Sequence, residues 1–402
     1  MPPRLSPTRS RAQSSITPAP VASSTTRTLR SGFPANLPMR LVLKLGSSTV
    51  TRDGVLDAPR LIDYARALQS LRAAGHQVVV VSSGAVAAGR GVLRLARSES
   101  EVAAKQMLAA VGQPRLMALY GELFGHYGIT VAQVLLTRAD LDDRRRYLNA
   151  RNTFEAMLGA GVLPIVNEND TVATEEIRVG DNDQLSALVA SLVDARLLLL
   201  MTDQAGLFDA NPRTHADARL IARIEETEIP ETVWAAAGGS AGTLGTGGML
   251  TKLKAAEIAR RSGAEVVIAD GREPARLAEI VAGKPIGTRF VAVAAPRDAR
   301  SRYILSGLRD GVGVRVDAGA IDALRNGKSL LGVGVCAIDG DFDRGDTVAV
   351  HDAEGRMLAR GIANYSAGEL RRIAGKRSTD VAAILGYDFG PEFIHRDDLV
   401  MW

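Results

Sequence analysis

The chain has 402 residues, of which 46% are hydrophobic, 23% charged and 4% aromatic; these are ordinary proportions for two or three globular domains and exclude a collagen-like, disordered or disulfide-stapled whole. Its one cysteine, Cys336, can form no intrachain disulfide, and no Cys/His cluster or CxxC pair points to zinc or redox chemistry, so a reducing, cytoplasmic setting is expected. The net charge of +4 belongs to the first 38 residues, which hold five arginines and no acidic residue; setting those five aside leaves 44 basic against 45 acidic residues, which excludes a global basic field.

Residues 1–38 are rich in Ser, Thr and Pro, a composition that buries too little apolar surface to offset chain entropy, and a disordered leader is expected there. Its prolines spoil an amphipathic targeting helix. From Arg40 strand and helix patterns alternate. Leu41 to Leu45 reads as a strand ending in Gly46-Ser-Ser48. Asp57 and Pro59 then open a helix in which Leu61, Tyr64, Leu68 and Leu71 recur at helical spacing, and Gly75 closes it. Val78 to Val81 is the next strand and runs into Ser82-Ser-Gly-Ala85. Further strands are expected at 130–136, 163–167, 197–202 and 265–269, between helices near 101–111, 145–159, 183–193 and 252–261. None of the apolar runs approaches the roughly 18 to 20 residues that cross a bilayer. Continuous apolar strands between helices predict an α/β fold, a parallel sheet covered on both faces as an αβα sandwich.

Ligands of such sheets bind beyond the carboxyl ends of the strands. The residues there are polar and glycine-rich: Gly46-Ser47-Ser48, Ser83-Gly84, Asn167-Glu-Asn-Asp170 and Thr202-Asp203. Lys44 is flanked by Val42, Leu43 and Leu45, and a lysine in such a strand needs an anionic partner near the strand end. Thr246-Gly-Gly-Met-Leu-Thr-Lys252 leads into a helix, where glycines let backbone amides approach phosphate and Lys252 adds a mobile charge. Gly180-Asp-Asn-Asp183 precedes another helix. No GxxxxGK[ST] and no GxGxxG after a strand occurs, which excludes P-loop and dinucleotide sites.

After a Pro- and Arg-containing linker at 291–302, short β runs at 312–316 and 347–350 with turn signals between them predict a small β-rich barrel over 303–402. The linker has the composition of an exposed boundary, so the catalytic region 40–290 is expected to fold and act alone.

Lys44-Leu-Gly-Ser-Ser48, Val81-Ser-Ser-Gly-Ala85, Val166-Asn-Glu-Asn-Asp170, Gly180-Asp-Asn-Asp-Gln-Leu-Ser186, Thr202-Asp-Gln-Ala-Gly-Leu207 and Gly245-Thr-Gly-Gly-Met249 with Lys252, in this order over residues 40–290, resemble the amino-acid kinase family. Gly345-Asp346, Ala359-Arg-Gly361, Arg371-Arg-Ile-Ala-Gly375 and Ile384-Leu-Gly-Tyr387 resemble the PUA module. Within the family the likeness is to the branch that phosphorylates the side-chain carboxylate of L-glutamate with ATP, giving L-glutamate 5-phosphate for proline biosynthesis.

The resemblance implies that Lys44 and Lys252 meet the ATP phosphates and that Asp183 orients both. It implies that Ser83, Gly84, Asp170 and Asn182 hold glutamate, and that Gly46, Thr202, Asp203, Thr246, Gly247, Gly248, Met249, Leu250 and Thr251 bind ATP. Magnesium would accompany the nucleotide on ATP oxygens and waters, with no metal site of the protein's own. A homo-oligomer, proline as feedback inhibitor and hand-over to glutamate-5-phosphate reductase are implied as well. Departures are Ser82 for a common Thr and Arg178 for a common Lys. PUA modules elsewhere bind RNA, but here Asp343, Asp346, Asp380, Asp397 and Asp398 dilute the cluster Arg371, Arg372, Lys376 and Arg377, so RNA binding is expected to be weak.

Overall fold

A computed structural model describes residues 37–94, 101–173, 182–212, 214–238, 248–293 and 308–401. Leader residues 1–36, most of the linker, and Arg178, Gly180, Asp181, Thr246 and Gly247 lie outside the described residues.

The six long strands expected from the sequence all form. They are β1 (Arg40–Leu45), β2 (Gln77–Ser82), β3 (Val131–Leu136), β4 (Leu163–Glu168), β5 (Leu197–Thr202) and, after the short β6 (Arg223–Ile224), β7 (Glu265–Asp270). With β8 (Thr288–Phe290) they build an eight-stranded sheet ordered β3-β4-β2-β1-β5-β7-β8-β6. β1 lies in its middle, parallel to β2 and β5. The sheet is not parallel throughout, because β8 runs antiparallel to β7. Gly287, at φ +73°, brings the chain back so tightly that a Cβ there would lie 2.2 Å from the Ile268 carbonyl oxygen.

Pleating sends alternate residues to two cores. Leu41, Leu43 and Leu45 face one, under helices α1 (Ala58–Ala73) and α3 (Val102–Gly125). Val42, Val79 and Val81 face the other, under α4 (Arg144–Gly159), α5 (Asn182–Leu192) and α6 (Met249–Arg261). The helix α1 starts as its sequence requires, with the Asp57 carboxylate accepting from the Arg60 amide at 3.3 Å and Pro59 in the first turn.

Two helices on one face of the sheet depart notably from expectation. α3 runs to Gly125 rather than ending near 111, passing through Pro114. Leu116, Tyr120 and Phe124 beyond the proline are fully buried in the sheet core, and that burial outweighs the lost hydrogen bond. α2 (Ala85–Leu93) was not signalled at all, since it is short and carries two glycines, Gly89 and Gly91, that disfavour a helix. It crosses α3 backbone to backbone. A Cβ on Gly89 would lie 1.9 Å from the Leu108 carbonyl oxygen, and one on Gly112 only 1.8 Å from that of Ala85.

The carboxyl-terminal strands β9 (Leu308–Val316), β10 (Val335–Asp339), β11 (Thr347–His351), β12 (Met357–Ile362) and β13 (Leu399–Met401) form a second sheet, ordered β10-β9-β11-β12-β13. It is mostly antiparallel and has its own core, including Val314, Val350, Leu370 and Phe393. This part rests on α4. Arg151 donates to both oxygens of Asp398 at 2.8 Å, Arg344 donates to the side-chain oxygen of Asn149, and Leu148 packs on Ile362 and Val400. Among the described residues no helix is long and apolar enough to cross a membrane.

Candidate active site

The site is assembled at the carboxyl end of β1, where three elements bring charge together. Lys44, the next-to-last residue of β1, places its Nζ 2.6 Å from Asp183 Oδ1 in the first turn of α5. Lys252, in the first turn of α6, lies 3.2 Å from the other carboxylate oxygen, and Thr251 donates to that oxygen at 2.7 Å. All four side chains are buried. Burial pushes the Asp183 carboxyl up, but Lys44 and Lys252 outweigh it and hold it down at about 2. Two ammonium groups therefore share one carboxylate, leaving a net positive centre at the amino end of α6, whose backbone dipole adds to it.

Glycines keep this corner open. A Cβ on Gly46 would lie 3.4 Å from Lys44 Nζ, and Gly248 enters α6 at φ +79°, a conformation that side-chain-bearing residues rarely adopt. The Gly248 carbonyl accepts from Thr251 Oγ1 at 2.9 Å and from Lys252 Nζ at 3.4 Å.

A second group of polar side chains gathers at the ends of β2 and β4. The Asn182 amide donates to Ser83 Oγ at 2.9 Å, to Asn167 Oδ1 at 3.0 Å and to the Ser82 carbonyl at 3.3 Å. Its own Oδ1 is buried and has no hydrogen-bond partner among the described residues, an acceptor that awaits a donor. Gly84, at φ +115°, caps α2 where a Cβ would meet Val50 at 2.9 Å. Asp170 follows β4; burial pushes its carboxyl up to about 6, and no cation among the described residues pairs with it.

Thr202 ends β5 and donates to the exposed Asp203 at 3.1 Å. Beside them lies a hollow of about 500 Å³ lined by Gln204, Leu207, Phe208, Asn211, Pro212, Ala237 and Met249. The segment forming it is pinned by amide bonds from Asp209 to the Arg219 carbonyl and from Ile221 to the Leu207 carbonyl, at 3.0 and 2.8 Å. Sequence reasoning missed this hollow, although the Asp209-Ala-Asn-Pro212 run is a turn signal that follows the fifth strand. Of the residues expected near a nucleotide, Met249 lines it, whereas the Leu250 side chain turns into the core under α6 and leaves only backbone for a ligand.

The sequence pattern of the amino acid kinase family matches residues 39–270, and that of the PUA domain matches residues 313–385. The glutamate 5-kinase of Herpetosiphon aurantiacus is 51% identical over 368 residues, which is 91% of this chain and 99% of that protein. Those of Photobacterium profundum and Deinococcus radiodurans are each 50% identical, covering 90% of this chain and 96% and 100% of theirs. With the paired lysines on one aspartate and likeness over nine-tenths of its length, the chain belongs to the amino acid kinase family, among the glutamate 5-kinases, with a PUA domain after the kinase region.

Proposed function

We propose that this protein transfers the γ-phosphoryl group of ATP to the side-chain carboxylate of L-glutamate, forming L-glutamate 5-phosphate, the first step of proline biosynthesis. The observation that carries this reading is the Lys44–Asp183–Lys252 arrangement beside an unfilled amide and carboxylate cluster. A glutamate side chain, with a pKa near 4.3, is ionised at neutral pH, so the reaction needs no general base. It needs two anions held in line and the developing charge neutralised. Lys44 and Lys252 meet the phosphates in this reading, Asp183 keeps the two ammoniums together, and the α6 amino end from Gly248 through Thr251 offers backbone N–H groups.

Thr202, Asp203 and the hollow at Met249 take the nucleoside. Magnesium enters with ATP and is held mainly by nucleotide oxygens and waters. Ser83, Gly84, Asn182 and Asp170 hold glutamate, with the Asp170 carboxylate against the substrate ammonium. Because an acyl phosphate is labile, the reading extends to hand-over to glutamate-5-phosphate reductase; the resemblance adds a homo-oligomer and feedback inhibition by proline. RNA binding by the PUA domain is read as weak, a view supported by the bonding of Arg371 to the Gly340 carbonyl and of Arg372 to that of Ile384.

Trapping the product as a hydroxamate with ATP, magnesium and a panel of carboxylates tests the reaction: glutamate should give product, and its failure while aspartate or acetylglutamate reacts would overturn the assignment. The Asp170 role has a pH signature. Only the ionised carboxylate attracts ammonium, so the KM for glutamate should climb up to about tenfold per unit as pH falls below about 6. The KM for ATP should not follow. Asp170→Asn should start with a high glutamate KM and lose that pH dependence; a parallel climb in wild type and variant would remove Asp170 from the site.

A further inference from the structure

The glutamate side of the site contains a chain of side-chain amides whose far end no sequence motif indicated. Asn167 Oδ1 accepts from the backbone N–H of Glu168 at 2.9 Å. A backbone N–H can only donate, so that atom must be the oxygen and the Asn167 Nδ2 must point the other way. There it donates to Gln113 Oε1 at 2.8 Å, and Gln113 Nε2 in turn donates to Gln133 Oε1 at 3.0 Å. At the near end Asn182 Nδ2 gives its protons to Asn167 Oδ1, the Ser82 carbonyl and Ser83 Oγ. Of these amides, Asn182 has the buried oxygen that is left without a partner among the described residues.

We propose that Gln113 is a positioning residue for substrate recognition: by accepting from Asn167 Nδ2 it anchors the amide whose polarity the Glu168 N–H sets, so that Asn167 is held where it accepts from Asn182 and Asn182 keeps its free oxygen aimed at the α-ammonium of glutamate. This inference rests on the glutamate reading of the site. Gln113 is buried on α3, one residue after the Gly112 contact with Ala85, so its amide is held by a helix that cannot slide. Without its Oε1, Asn167 Nδ2 is a buried donor with nothing to donate to, and its amide is drawn out of place toward another acceptor. The displaced amide no longer accepts squarely from Asn182, which is then held through Ser82 and Ser83 and loses the fixed aim of its Oδ1 at the substrate ammonium.

The test compares Gln113→Met, which keeps the volume and loses the acceptor, with Gln113→Glu, which keeps an oxygen facing Asn167. Glutamate is measured beside glutarate, the same diacid without the amino group. Gln113→Met should raise the glutamate KM about fivefold or more, leave the ATP KM within about twofold, and cut the preference for glutamate over glutarate by a similar factor. A general packing defect would instead lower kcat for both acids alike. Gln113→Glu should retain the preference. An unchanged preference in a folded Gln113→Met overturns the proposal, as does a lost preference in Gln113→Glu, which also decides the matter if the Met variant does not fold. Wild-type protein that fails to phosphorylate glutamate would overturn the functional reading itself, a different outcome from either.

Discussion

Lys44→Ala and Lys252→Ala should each lower kcat by at least about two decades, roughly 3 kcal/mol of transition-state stabilisation. Each lysine brings a buried charge to the same carboxylate, at 2.6 and 3.2 Å. Deleting one leaves the other neutralised by Asp183, so the site passes from net positive to neutral where phosphoryl charge must be met. A neutral, buried site has nothing to offset that charge, whereas the hollow at Met249 proposed for the nucleoside is untouched. The loss should accordingly appear in kcat, with the KM for glutamate and for ATP changing less. Steady-state kinetics on both variants checks this, and near-wild-type turnover in either would take that lysine out of the mechanism.

Asp398→Ala should be the largest stability change away from the active site. Arg151 is 5% exposed, with Asp398 at 2.8 Å and Asp194 at 3.6 Å as its carboxylate partners. Removing one partner of a buried pair costs about 3–5 kcal/mol because it strands the other charge; the remaining Asp194 should hold the loss near 3 kcal/mol. Burial pushes the Asp194 carboxyl up to about 6, with Arg151 opposing the rise and Asp398 adding to it. A carboxyl raised on folding binds its proton more tightly in the native state, so its contribution to stability is present at low pH and is lost as pH rises from about 4 to 6. Taking away Asp398 lowers the Asp194 pKa and shrinks that window. Thermal melts of wild type and Asp398→Ala at pH 5 and pH 7 should show a deficit of several degrees that is smaller at pH 7. A chain ending at Phe290 should keep its activity, since Lys44, Asp183 and Lys252 remain, but melt earlier because Leu148 and Arg151 lose their covers. An equal melting temperature would mean that the contact with α4 contributes nothing.

The sheet was legible because its long strands other than the edge strand β3 are largely apolar runs buried on both faces, and such runs need no partner to be recognised. The strand-end lysine was legible too, as an oddity within β1. What the sequence hid was set by distant neighbours. α2 is a helix because Gly89 and Gly112 let it lie on α3, and neither glycine announces the other across 23 positions. β8 is antiparallel because the helical connection from Asp270 returns the chain through a left-handed Gly287. Gln113 reads as one polar residue in an apolar helix; only its contact with Asn167, 54 residues on, gives it a role. Likewise Leu250 sits inside a glycine-led motif, yet the rotation of α6 sends its side chain to the core.

The crossing of α2 and α3 also bears on how choosy the proposed glutamate site can be. Gly84, which caps α2, and Gln113 of α3, beside the proposed glutamate site, are carried by helices whose backbones meet at Gly89 and Gly112, and such a pair deforms only as a block. The hollow proposed for the nucleoside is lined by separate, half-buried side chains, among them Phe208 and Met249, which adjust their rotamers more freely. The enzyme should therefore reject aspartate, one methylene shorter than glutamate, far more sharply than it rejects GTP or ITP in place of ATP: a strict acceptor site joined to a tolerant donor site, which relative kcat/KM values for the two series would display directly.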